Sequence, residues 1–182
     1  MRKDISCRVR AIVLYACVCA FSGAPAMYAE DPASSRTVQV SGTGVDLLNG
    51  AVVHRKQATP SGETQQSTEI IVLEGDLKGR VLYHVTTVID KQKGTLVNRG
   101  DQVFSGTVAG SEPVLIHDSK FRFDVNLATG SESGSVYLDD PIAGPPIHCA
   151  LKVTGTGKTA DGNPTFSYSG SCTFAANKSG HP

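Results

Sequence analysis

Four histidines, His54, His84, His117 and His148, recur at intervals of 30, 33 and 31 residues. In a chain of short strands that spacing can bring three imidazoles together, enough to hold a metal or to carry a proton. The local pattern points to a plainer role. His84 and His148 alternate with apolar neighbours and so fall on outward faces, and no CxxC pair or Cys/His set accompanies them. No metal and no cofactor is therefore expected. Asp118 beside His117, and the pair Asp139 and Asp140, are the carboxylates that can do acid–base work, although acids near turns are ordinarily solvated. No serine lies in a G-x-S-x-G elbow, and Gly42-Thr43-Gly44 and Gly155-Thr156-Gly157 lack the lysine and helix of a phosphate loop. Arg99-Gly100-Asp101 is a receptor-type triplet if a loop tip displays it, but its composition is that of an ordinary turn.

Two tyrosines say more. Tyr83 and Tyr168 lie on apolar faces, so each hydroxyl needs a partner or a ligand. The chain has no Trp and few Phe, and glycines 75, 79, 155 and 170 share those faces. Inward glycines either let a strand bend sharply or leave space unfilled. The expectation is a cavity bordered by Leu77, Tyr83, Val153 and Tyr168, open toward one rim and suited to a small apolar ligand. The competing expectation is a solid core with both tyrosines at its rim.

The elements that must position these residues are strands. The clearest is the last hairpin, Ile147 to Phe174, centred between Ala160 and Asp161. That centre sets Cys149 opposite Cys172, Ile147 opposite Phe174, Leu151 opposite Gly170, Val153 opposite Tyr168 and Gly155 opposite Phe166. All share one face, while His148, Lys152, Ser169 and Thr173 lie on the other, and a one-residue slip would exchange the faces. Opposed cysteines in an antiparallel pair are within disulfide reach.

Upstream, strands are expected at 37–45, 51–56, 95–98, 102–110, 114–117, 120–127 and 135–138, with polar loops at 57–66 and 139–146. In the segment 120–127, Phe121, Phe123, Val125 and Leu127 read as inward. The run from Thr68 to Asp90 alternates without a break through Gly75 and Gly79. It reads either as a hairpin with its loop at 75–79 or as one long bent strand, and the unbroken alternation favours the bent strand. No helical period appears past the leader. Eight to ten short strands indicate an antiparallel β-barrel of about eight strands, with a β-sandwich as the alternative. The inward glycines favour the barrel.

Residues 1–29 read as a secretory leader: a basic start at Arg2, Lys3, Arg8 and Arg10, a short apolar run over 11–21, and small residues before cleavage after Ala26 or Ala29. A lipoprotein reading at Cys17 leaves a very short apolar core. Removing the leader takes Cys7, Cys17 and Cys19 and leaves 13 Lys and Arg against 16 Asp and Glu, a net charge of about −3. Two cysteines in an exported chain read as one disulfide. Residues 30–182 are expected to form a single domain, periplasmic or extracellular. A weakly acidic surface excludes nucleic acid as the natural partner, and no later stretch is apolar for long enough to cross a membrane.

At Gly75-Asp76-Leu77-Lys78-Gly79 and Phe104-Ser105-Gly106-Thr107-Val108-Ala109-Gly110 the chain resembles bacterial proteins of the allene oxide cyclase-like barrel superfamily, over about residues 69–116. The resemblance implies an eight-stranded barrel with an apolar lumen, in a group where some members cyclise small molecules. Gly130-Ser131-Glu132-Ser133-Gly134 departs from it, standing where a longer glycine-rich signature would sit. No catalytic residue carries over. The resulting expectation is an exported, non-catalytic module that binds a small apolar ligand or a protein partner. One alternative is a cyclase or isomerase using Tyr83, Tyr168 or His84. Another is an inhibitor acting through the 139–146 loop, stiffened by Pro141, Pro145 and Pro146.

Overall fold

A computed structural model of the protein describes residues 34–176. The leader and its cleavage sites lie outside the described residues. Ten strands follow one another: β1 (Arg36–Asp46), β2 (Val52–Thr59), β3 (Gly62–Gly75), β4 (Leu77–Asp90), β5 (Thr95–Val108), β6 (Val114–Asn126), β7 (Glu132–Leu138), β8 (Asp140–Ala143), β9 (Ile147–Lys158) and β10 (Pro164–Phe174). A single 3-10 turn, Leu48–Gly50, separates β1 from β2. The sheet runs β1-β10-β9-β7-β6-β5-β4-β3, and β1 then pairs with β3, closing an eight-stranded antiparallel barrel. Two short strands complete it. β2 takes over from β1 beside β3, and β8 takes over from β7 beside β6.

The last hairpin has the register its alternation dictates from Ile147 opposite Phe174 to Gly155 opposite Phe166, with Cys149 opposite Cys172 and Val153 opposite Tyr168. Nearer the turn a bulge at Thr156 shifts it by one, pairing Gly157 with Thr165. The cysteines form a disulfide with Cα atoms 4.1 Å apart, facing into the core. Closing a loop of this size contributes about 3 kcal/mol in the chain-entropy account.

Thr68 to Asp90 is a hairpin and not a bent strand. β3 and β4 pair from Gly62 with Asp90 up to Leu73 with Gly79, turning at Asp76. Inward residues are odd-numbered on both arms, so the alternation through this turn is identical to that of an unbroken strand. Gly75 takes φ +106°, and the Asp76 carboxylate accepts the Ser41 N–H at 2.7 Å, which fixes the turn against β1. The polar stretch 57–66 is no loop either: it forms the tip of the β2–β3 hairpin. Arg99-Gly100-Asp101 lies within β5. There, Gly100 pairs with Phe121 and Gln102 with Asp118, so Asp101 faces the extra residues Ser119 and Lys120 of a bulge in β6. That bulge joins the two expected strands 114–117 and 120–127 into one. Phe121 is buried and Phe123 and Val125 are half-buried, but Leu127 lies past the end of β6 and is 45% exposed. The 139–146 loop contains β8.

The interior is filled unevenly. At the end carrying the β3–β4 and β5–β6 turns, Phe104, Leu77, Ile116, Leu138, Ile147, Val108 and Cys172 are fully buried. Tyr168 seals this end: its hydroxyl accepts the Leu77 N–H at 2.7 Å and can donate to the Glu74 or Leu77 carbonyl at 3.1 and 3.2 Å. Burial raises the pKa of Tyr168, so the hydroxyl stays protonated.

Two stability changes follow. Phe104→Ala is expected to cost about 3–5 kcal/mol in urea melts and Leu127→Ala within about 0.5 kcal/mol, and the reverse ranking would refute this packing. Tyr168→Phe strands a buried N–H and is expected to cost about 1–3 kcal/mol; no measurable loss would show that the hydroxyl does not hold the turn.

Candidate functional site

The histidines do not converge. They stand on β2, β4, β6 and β9, on the outer surface. Thr68 Oγ1 lies 2.7 Å from both His54 Nε2 and His84 Nδ1. His117 lies 3.4 Å from Asp101 and 3.3 Å from Asp140, while His148 Nδ1 is 2.9 Å from the Asp139 carbonyl. Among the described residues no group of three or more His, Cys, Asp or Glu is placed to hold a metal. Asp118 is not a solvated turn acid. It is fully buried at the β6 bulge, where it accepts N–H groups from Gln102 Nε2, the Tyr137 backbone and the Lys120 backbone at 2.6–2.9 Å. A carboxylate so satisfied is a structural clamp joining β5, β6 and β7.

The barrel interior holds a cavity of about 400 Å³. Its inner wall is Ile71, Leu73, Val81, Leu138, Leu151 and Val153, which form the near side of the packed core. From there it extends past Phe121, Phe123, Val136 and Phe166 to Ile89, Leu96, Val125 and Pro164, beside the turns of the opposite end. The wall is mostly apolar, as binding sites for small molecules are. A second concavity, on the outer face of β1, β10, β9 and β7, has Ser41, Ser135, Ser169 and Ser171 in its lining beside Gln39, Tyr137 and Lys152.

Polar groups converge halfway down the inner cavity. Tyr83 Oη lies 2.7 Å from Glu69 Oε2 and 3.0 Å from Asp46 Oδ2, and Ser67 Oγ donates to Glu69 Oε1 at 2.5 Å. Tyr83 and Glu69 are buried, Asp46 half-buried, and Gln102 stands beside them at 2% exposure. Asp46 Oδ1, and Asn98 Oδ1 nearer the mouth, are buried acceptors without a hydrogen-bond partner among the described residues. Desolvation, and secondarily repulsion from Glu69, raise the Asp46 carboxyl from 3.8 to about 7, against the lowering effect of the Tyr83 hydrogen bond. Burial and then the same two carboxyls push the Tyr83 hydroxyl upward, so it remains a donor. Chemically, this is an acceptor-rich pocket in which the Asp46 carboxyl can hold a proton up to about neutrality.

Three of the four residues expected to border a cavity, Tyr83, Val153 and Tyr168, line it; Leu77 does not, being fully buried in the packed end. The tyrosines also differ, because the Tyr168 hydroxyl is occupied by backbone groups while that of Tyr83 faces the acids. The glycines do not create the space. A Cβ on Gly79 would stand 2.2 Å from the Ser105 carbonyl, and one on Gly170 2.1 Å from that of Ala150, so these are close approaches of backbone. A Cβ on Gly155 would meet the Glu132 side chain, which lies over it.

Asp46, Glu69, Asn98 and Gln102 had no place in the sequence reading, although a signal existed. Asp46 falls on the same parity as Val38 and Val40, Glu69 on that of Ile71 and Leu73, and Gln102 on that of Phe104. Each is a polar residue on an apolar face.

Comparison with protein-family models, with curated proteins and with solved structures gives no match.

The acids make stability pH-dependent with a definite sign. A carboxyl whose folded pKa is raised holds its proton longer in the folded state. The stability it contributes is complete below about pH 4 and is lost as pH rises through about 7. The ceiling is on the order of 4 kcal/mol, at about 1.4 kcal/mol per pKa unit. Urea midpoints are therefore expected to fall between pH 5 and pH 8, and the fall to shrink in Asp46→Asn. An unchanged slope in that variant would remove Asp46 as the cause.

Proposed function

We propose that this protein is an exported binding module that takes a small, largely apolar molecule into the barrel interior. The observation that carries the reading is the cavity of about 400 Å³, walled by apolar side chains and reaching one end of the barrel. A void of that size in a wall of Phe, Leu, Val and Ile forfeits packing that a solid core would keep, and a ligand restores it. Export is supported by the Cys149–Cys172 disulfide, which persists in oxidising compartments. No helix among the described residues is long and apolar enough to cross a membrane.

A second reading, a cyclase or isomerase, is favoured by one specific observation. Asp46, Glu69 and Tyr83 converge inside the cavity, and a carboxyl near neutrality can give or take a proton. Of the groups first considered for that role, His84 is on the outer surface and the Tyr168 hydroxyl is tied to backbone, leaving Tyr83. For the inhibitor reading, the 139–146 segment offers β8 with Ile142 56% exposed, but β8 is itself paired to β6.

An apolar fluorescent probe is expected to bind the folded protein and gain intensity. Val125→Trp, which fills the cavity from its wall, should weaken binding by about tenfold or more, whereas Val88→Trp at an exposed position should leave it unchanged. Equal binding by both variants would place the probe outside the barrel and defeat the proposal.

A further inference from the structure

We infer that the ligand is an amphipathic cation, an apolar body carrying a protonated amine that sits against Asp46 and Glu69. This deepens the cavity-binding reading and rests on it. The first argument is hydrogen-bond capacity. Tyr83 and Ser67 each bring one hydroxyl proton to the two carboxyl groups, while Asp46 Oδ1 and Asn98 Oδ1 remain buried acceptors with no partner among the described residues. Gln102 gives an amide N–H to Asp118, which fixes its carbonyl oxygen as a further acceptor on the cavity wall. A ligand group that packs against these acceptors must bring donors of its own. An ammonium group has up to three donors and no acceptor; a carboxylate has the opposite inventory.

The second argument is charge. Of the charged residues lining the cavity, Asp46, Glu63, Glu69 and Glu132 are acidic and Lys158 alone is basic. Glu63 is paired to Lys56 at 2.9 Å beside the β2–β3 turn, and Lys158 is exposed at the end of β9. The two acids at depth therefore have no basic side chain against them among the described residues. A buried carboxylate is expensive unless a cation meets it, and a fatty-acid-like anion would add a third negative group to the site. Phe121, its ring centroid 5.7 Å from that of Tyr83, and Phe123 also line the cavity, and aromatic rings suit a cation and an alkyl body alike.

The test compares three ligands of equal chain length, decylammonium, decanol and decanoate. Each is titrated calorimetrically into the intact folded protein at pH 8, above the value of about 7 to which the Asp46 carboxyl is raised. Decylammonium is expected to bind about tenfold tighter than decanol, and decanoate weakest. In Asp46→Asn the preference for amine over alcohol should fall toward one. Glu69→Gln gives the same readout if the first variant does not fold, with a circular dichroism melt as the check. Decanol or decanoate binding as tightly as the amine, or a preference that survives both substitutions, overturns the cationic ligand while leaving the cavity as a binding site. Failure of all three to bind overturns the cavity-binding reading as well.

Discussion

Closure of the sheet depends on one hydroxyl and three missing side chains. Where β1 crosses from β10 to β3, its inward positions are Gly42 and Gly44, opposite Tyr168 and Phe166. A Cβ on Gly42 would lie 2.3 Å from the Tyr168 hydroxyl, and one on Gly44 2.2 Å from the Phe166 ring. The aromatic rings therefore occupy the space that β1 leaves open, and Gly75 brings the β3–β4 turn close enough for Tyr168 to hydrogen-bond it. The disulfide, directly below on β9 and β10, holds the strand that carries this ring. With the seam fixed, Leu77, Phe104 and Ile147 have a closed volume to fill.

The other end is open for a reason of composition. Along the inward parity of β3, β4 and β5, the apolar run is interrupted by Gln65, Thr87 and Asn98 before Ile89 and Leu96 resume it beside the turn. Polar side chains at that level cannot close on one another without hydrogen-bond partners, while strand pairing continues to the turns on both sides. The cavity thus has a packed floor, a polar interruption above it and an apolar rim.

What the sequence made legible was whatever has a unique period. The last hairpin could be aligned from Ile147–Phe174 to Gly155–Phe166 because its cysteines and its alternating faces agree on one register, while the bulge beyond, in a polar stretch, left no mark. The β3–β4 hairpin could not, since a turn at Asp76 preserves odd-residue parity and copies a continuous strand. The β6 bulge was equally silent: it shifts parity by one at Ser119–Lys120, and in sequence that looks like two short strands with a gap. The packed half of the site, Tyr83, Val153 and Tyr168, was visible as apolar alternation. The acidic half carried only a parity signal, and Asp46 and Glu69 lie just beside the expected strand limits at Val45 and Thr68, where an acid reads as an ordinary strand end.

That acidic half is also where folding and function separate. Asp118 is buried and fully supplied with N–H groups, so its carboxylate strengthens the joint it occupies. Asp46 and Glu69 are supplied by two hydroxyls, repel each other, and raise the proton affinity of the site. Even a buried ion pair can often be replaced by apolar residues of similar size without loss of stability, and two acids lack the mutual attraction such a pair has. Leu or Met at 46 and 69 would extend the wall already formed by Ile71 and Val81. Local rules broken without a folding gain mark the sites a protein uses. The two acids, and not the histidines on the outer surface, are the part of this chain that its fold leaves unexplained.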